Sequence, residues 1–166
     1  TNIDNKPSHW LIDTAITALE RLAHRGAVGA DGTSGDGCGI LFKIPEFFFR
    51  SIANEQKINV AKSFAIGMFF LNTDKKKRKA SMKIVEDVIK EHDFILAGWR
   101  DVPTNKEICG EDALKTLPHI SQAFINPTKK INNKDIESKL LIIRRKIEIL
   151  ISKTNDDIFY ITSLSS

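Results

Sequence analysis

The sequence predicts a protein of mixed α and β structure, and three observations carry that expectation. Apolar residues recur at spacings of three and four in three long segments, the mark of one buried helical stripe. Between them lie near-continuous apolar runs of about seven residues, too short for helices and suited to strands. Gly, Pro and Asn-Thr-Asp punctuation separates the two kinds of segment. Several connections are long enough for parallel neighbours, and an antiparallel α+β layering fits equally well.

The elements follow in order. Ser8 is placed to cap a helix whose stripe is Leu11, Ile12, Ala15, Ile16, Leu19, Leu22 and Ala23. That helix runs into a stretch with six glycines in seventeen residues, from Ala23 to Gly39. Gly39 to Ile44 reads as a short strand, and Pro45 as the first residue of the next helix. Ala65 to Leu71 reads as a buried strand, and Asn72-Thr73-Asp74 as a turn. Residues 75–92 form a lysine-rich helix with Met82, Ile84, Val85, Val88 and Ile89 on one face. Phe94 to Arg100 is a strand that Val102-Pro103 ends. A short helix from Glu111 to Leu117 and a strand from His119 to Ile125 come next. Ile136, Leu140, Ile143, Ile147 and Leu150 mark a further helix, and Ile158 to Leu164 a last strand.

A chain of 166 residues is enough for one core. Hydrophobic residues make up 42% and charged residues 28%, ordinary for a globular protein. No segment approaches the roughly 20 apolar residues of a membrane span, and the first residues carry no signal-peptide core. Two cysteines, Cys38 and Cys109, provide neither a disulfide framework nor metal spacing. A reducing cytoplasm or organelle stroma is the expected home. The net charge of +4 is mild and demands no nucleic-acid partner.

Candidate chemistry is mostly excluded motif by motif. No Gly-Lys-Ser/Thr exists, so there is no P-loop. Gly35-x-Gly37-x-Gly39 leads into a strand where a dinucleotide fingerprint would open a helix. Asp31 and Asp36 suggest calcium, but Phe42 stands where an EF-hand loop needs Glu. Lys75-Lys76-Lys77-Arg78-Lys79 lacks interleaved aromatics and reads as the solvated start of a helix. Thr1 could act as an N-terminal nucleophile only on a rigid strand start, and Asn2 to Pro7 reads as a strand end and turn. The histidines His9, His24, His92 and His119 are scattered, and no base accompanies Cys38.

The segment LERLAHRGAVGADGTSGDGCGILFKIP, residues 19–45, resembles the opening of the class II glutamine amidotransferase domain of glutamate synthases. AIGMFFLNTD (65–74), AGWRDVPTN (97–105), PHISQAFI (118–125), IIRRKIE (142–148) and FYITSLSS (159–166) resemble later blocks of that domain in the same order. The resemblance implies an α+β fold, part of an N-terminal-nucleophile αββα sandwich. It implies that residues 1–166 are one piece of a single domain, truncated at both ends.

The function it implies is hydrolysis of L-glutamine to glutamate and ammonia, for reductive amination of 2-oxoglutarate. An N-terminal cysteine would be the nucleophile and its α-amine the base. That cysteine is expected upstream of Thr1. The substrate-clamping arginine and the Asn-Gly oxyanion pair are expected beyond Ser166. No catalytic residue is therefore expected within this chain, and residues 1–166 alone are expected to be inactive and poorly soluble. His24, Arg25, Gly26, Asp31 and Asp36 are the expected active-site support. A cation at Arg25 would favour thiolate over thiol, and the two aspartates would fix the loop through backbone N–H groups. FMN and an iron–sulfur cluster are expected elsewhere in the polypeptide, with none held by this segment, and no metal. Expected partners are L-glutamine, the synthase domains, and a small electron-donor subunit or ferredoxin, with no nucleic acid and no membrane. The expected compartment is the cytoplasm, or the plastid stroma of a eukaryote. The alternative is a catalytically dead amidotransferase-like binding module.

Overall fold

A computed structural model describes residues 6, 8–35 and 37–166. Thr1 and Asp36, two residues weighed above, lie outside the described residues. The chain divides into two compact units. One comprises Thr1–Lys43 with Asn105–Leu117, the other Ile44–Thr104 with Pro118–Ser166.

The larger unit is an α+β layer around one four-stranded sheet. Its elements are α2 (Glu46–Glu55), β1 (Ala65–Leu71), α3 (Lys75–Glu91), β2 (Phe94–Asp101), β3 (His119–Pro127), α5 (Asn133–Ile151) and β4 (Tyr160–Ser165). The sheet order is β2-β3-β1-β4, and every pair is antiparallel. That decides the question the connection lengths left open. The pleat sends alternate residues of β1 to opposite faces. Ala65, Phe69 and Leu71 share one face with Ala123, Ile125, Phe94 and Ile161, buried against α3 and α5. Val85, Val88 and Ile89 come from α3, and Ile136, Leu140, Ile143, Ile147 and Ile151 from α5. Ile66 and Phe124 point the other way and join Ile52, Ala53 and Phe64 in a smaller cluster.

Local chemistry sets the helix starts. Asp74 accepts from the Lys76 and Lys77 N–H groups at 2.8 and 2.9 Å and caps α3. Asn132 does the same for α5 through Asp135 N. Pro45 falls at the N-cap of α2, one residue before the position assigned from sequence.

The smaller unit holds α1 (His9–Arg21), a single 3₁₀ turn (Ala23–Arg25), the glycine loop and α4 (Glu111–Thr116). Three expectations need correction here. Ser8 has extended backbone at the N-cap, but its hydroxyl makes no capping bond. The apolar stripe of α1 is present in sequence, yet no residue of that helix is buried, and Ile12 and Ile16 are exposed. Residues 39–44 form no strand. A strand needs a hydrogen-bonded partner, and the bridge in this region joins Val28 to Gly35 instead. Leu41 and Phe42 are consequently exposed.

Candidate functional site

The glycine loop begins where α1 tightens into its 3₁₀ turn. The Arg25 N–H bonds Leu22 O at 2.9 Å, and His24 Nδ1 lies 2.9 Å from Arg21 O, so the imidazole closes the last turn of the helix. His24, Arg25 and Gly26 are all exposed. Beyond them the chain doubles back. Gly29 N donates to Ser34 O at 2.5 Å, and Gly32 N to Gly29 O at 3.0 Å. Gly32 has φ +71°, a left-handed conformation that a side chain resists. The glycine there is a requirement of the turn.

Asp31 is the hub of this turn. Its Oδ1 accepts from the Thr33 and Ser34 N–H groups at 3.1 and 2.7 Å. Its Oδ2 accepts from the Ser34 hydroxyl at 2.5 Å and from the Asp112 N–H at 3.2 Å. The Ser34 hydroxyl, then the N–H groups of Ser34, Thr33 and Asp112, hold the Asp31 carboxyl far below the usual carboxylate range. Ser34 Oγ also accepts from the Ala113 N–H at 3.1 Å. Two first-turn N–H groups of α4 are thus capped by side chains about eighty residues away in sequence. The helix's own N-cap residue, Gly110, has no side chain to do it.

His24, Arg25, Gly26 and Asp31 therefore lie on one loop, but among the described residues the partners of Asp31 are Thr33, Ser34 and Asp112, and His24 turns to Arg21 O. Asp36 lies outside the described residues. Sequence reasoning missed Ser34, Gly110, Asp112 and Ala113. A signal existed: Asp31-x-x-Ser34 carries the short polar residues of an Asx turn, and Gly110 before Glu111-Asp112 is a helix start lacking a side-chain acceptor.

The other polar groups have local explanations. Cys38 is exposed and Cys109 partly so; both are free thiols. In the larger unit, Asp101 Oδ1 lies 2.8 Å from His119 Nε2 and accepts from Ser121 Oγ at 3.0 Å. The serine is bonded to the carboxylate and not to the imidazole, so this trio lacks the base–nucleophile link of a serine triad. The basic run forms the first turns of α3. Arg78 donates to Asn72 O and Thr73 O, and Lys77 to Asn155 O, so two of its cations are tied to the fold. No group of three or more His, Cys, Asp or Glu among the described residues can hold a metal ion. No helix among them is long and apolar enough to cross a membrane.

Comparison with known proteins gives the site its context. The ferredoxin-dependent glutamate synthase of Cyanidium caldarium is 41% identical over 150 residues, covering 89% of this chain and 10% of that protein. The Arabidopsis thaliana protein named ferredoxin-dependent glutamate synthase 1, chloroplastic/mitochondrial, is 38% identical over 149 residues, 89% of this chain and 9% of that protein. The glutamate synthase [NADPH] large chain of Azospirillum brasilense is 37% identical over 169 residues, 99% of this chain and 11% of that protein. The chain thus spans about a tenth of the length of these relatives. The family described as Glutamine amidotransferases class-II matches residues 1–166. With that match over its whole length, the chain belongs to the class II glutamine amidotransferases.

Proposed function

We propose that this chain is part of the glutamine-hydrolysing, ammonia-supplying domain of a glutamate synthase. The observation that carries the reading is the family match over residues 1–166, joined to relatives at 37–41% identity that are all named glutamate synthases. Both compact units would belong to one amidotransferase domain, and residues 1–166 would be its interior.

In this reading a cysteine thiolate upstream of Thr1 attacks the side-chain amide carbon of L-glutamine, with its own α-amine taking the thiol proton. The C–N bond breaks, ammonia leaves, and water cleaves the thioester to glutamate. No residue of this chain is covalently involved, so residues 1–166 alone do not turn over glutamine. His24, Arg25 and Gly26 support the backbone beside the nucleophile, and the Arg25 cation favours thiolate. Asp31 holds the loop. The ammonia then passes to synthase domains of the same polypeptide, where 2-oxoglutarate is reductively aminated.

A flavin and an iron–sulfur cluster would supply the reducing electrons, in a part of the polypeptide outside this chain. The residues here do not fit the cluster: such clusters take about four cysteine ligands, and this chain has two. The electron donor would be ferredoxin or a small donor subunit, since the relatives include both ferredoxin-dependent and NADPH-named enzymes. Two free thiols suit a reducing cytoplasm or plastid stroma.

N-terminal sequencing and intact mass of the native polypeptide test this. The expected result is a mature chain that starts at cysteine a few residues before Thr1 and continues far past Ser166. A native chain that starts at Thr1, or at a dispensable Met, and stops near Ser166 would overturn it in favour of a non-catalytic binding module.

A further inference from the structure

We propose that the Gly110–Ala113 segment is a latch that sets the glycine loop for catalysis, making Ser34 and Gly110 positioning residues of the amidotransferase reaction. The inference rests on the function proposed above.

The geometry is a reciprocal clamp. Asp31 Oδ2 takes the Asp112 N–H at 3.2 Å, and Ser34 Oγ takes the Ala113 N–H at 3.1 Å. Each side satisfies the other: the loop gains two donors, and α4 gains the caps that Gly110 cannot offer. The Ser34 hydroxyl is the pivot. It donates to Asp31 Oδ2 at 2.5 Å and accepts from α4 at the same time. Without it, Ala113 N loses its acceptor and Asp31 loses one of its four donors.

Gly110 is what lets the two parts approach. A Cβ built there would lie 2.6 Å from Asp31 Oδ2 and 2.6 Å from Ser34 N, and would press on Ser34 Oγ as well. Ser34 N is backbone, so relief requires the loop and α4 to separate. A side chain as small as Ala at 110 therefore opens the latch, although Gly110 has no left-handed backbone to protect. The loop it holds carries His24-Arg25-Gly26 at its entrance. A displacement of about 1 Å in such supporting backbone is enough to cost roughly a hundredfold in rate.

The test uses the native full-length polypeptide in four forms: wild type, Gly110→Ala, Ser34→Ala and Ser34→Thr. Two readouts are taken, steady-state glutamine hydrolysis and peptide-level hydrogen exchange over residues 29–35 and 110–116. Gly110→Ala and Ser34→Ala are expected to lower kcat by roughly ten- to a hundredfold with a smaller change in KM. Both should speed exchange in both segments, while the Lys75–Glu91 helix exchanges as in wild type. Ser34→Thr keeps the hydroxyl and should recover both readouts, a rescue that general loss of structure would not show. Unchanged exchange in either Ala variant overturns the latch. Faster exchange with wild-type kcat overturns its role in catalysis. A wild type that does not hydrolyse glutamine sinks the proposed function and the catalytic role with it, while the exchange data still decide whether the latch exists.

Discussion

Asp156 ties three elements of the larger unit together, and replacing it by Ala should be among the most damaging single changes outside the apolar core. Its Oδ1 accepts from Asn72 Nδ2 at 3.0 Å, at the end of β1, and its Oδ2 accepts from Ser81 Oγ at 2.5 Å, on α3. The Ile158 and Phe159 N–H groups, leading into β4, bond it as well. Asn72 is 4% exposed and Ser81 2%, so water cannot readily replace a lost acceptor. Each buried donor left unpaired costs about 1–3 kcal/mol, which puts Asp156→Ala at about 2–5 kcal/mol. For a chain of this size that lowers Tm by about 5–15 °C. Asp156→Asn keeps one acceptor and should lose about half as much.

The same carboxylate has a pH signature. Burial works against its charge, but the Ser81 hydroxyl, the Asn72 amide and the two N–H groups outweigh that, and the carboxyl lies below its ordinary value. The folded protein thus holds this proton less tightly than the unfolded chain. Its stabilisation is present above about pH 4, the unfolded value, and is lost as pH falls through the lower folded one. Thermal unfolding of the 166-residue chain, kept dilute enough to stay monomeric and followed by far-ultraviolet circular dichroism from about pH 7 down to about pH 3, reads both effects. Wild type should lose more stability than Asp156→Ala across the acid limb. A midpoint for Asp156→Ala within about 1 °C of wild type, with the same acid slope, would show that Asn72 and Ser81 find other partners and that the reasoning is wrong.

Further expectations can be checked by thermal or denaturant unfolding of the same chain. Leu140→Ala removes a fully buried side chain from the face of α5 against the sheet, and should cost about 2–5 kcal/mol in denaturant titration. Asp74→Ala deletes the acceptor for two N–H groups at the start of α3 and should cost about 1 kcal/mol. Lys75→Glu should stabilise by about 0.3–1 kcal/mol, because α3 has no acid in its first turn and a cation there opposes the helix dipole. Added salt should shrink that gain, and an unchanged or lower midpoint at low salt would count against the electrostatic argument.

Much of the fold was legible in the sequence because its signals are local. The run Ala65 to Leu71 could be little else than a buried strand, and the stripe Ile136-Leu140-Ile143-Ile147 became the buried face of α5. Residues 39–44 show where such signals fail. Apolar composition gave them strand character, but a strand exists only with a partner, and composition does not say whether one is present. The stripe of α1 fails for a related reason: periodicity names the face that could be buried, not what covers it. At the site, Asp31 stood out through its own turn chemistry. Ser34 and Gly110 did not, because their pairing spans about eighty residues and one partner contributes only a missing Cβ. The antiparallel order β2-β3-β1-β4 was likewise beyond local reading, since connection lengths allowed both senses.

Glutamine hydrolysis through an N-terminal thiol upstream of this chain, the function proposed above, can be tested on that thiol itself. The most direct measurement is ammonia release from L-glutamine by the native polypeptide, before and after selective removal of its first residue, beside residues 1–166 alone. Release by the native polypeptide is expected, with its loss once the terminal cysteine is gone and none from residues 1–166. Release that survives removal of that residue, or turnover by residues 1–166 alone, would contradict it.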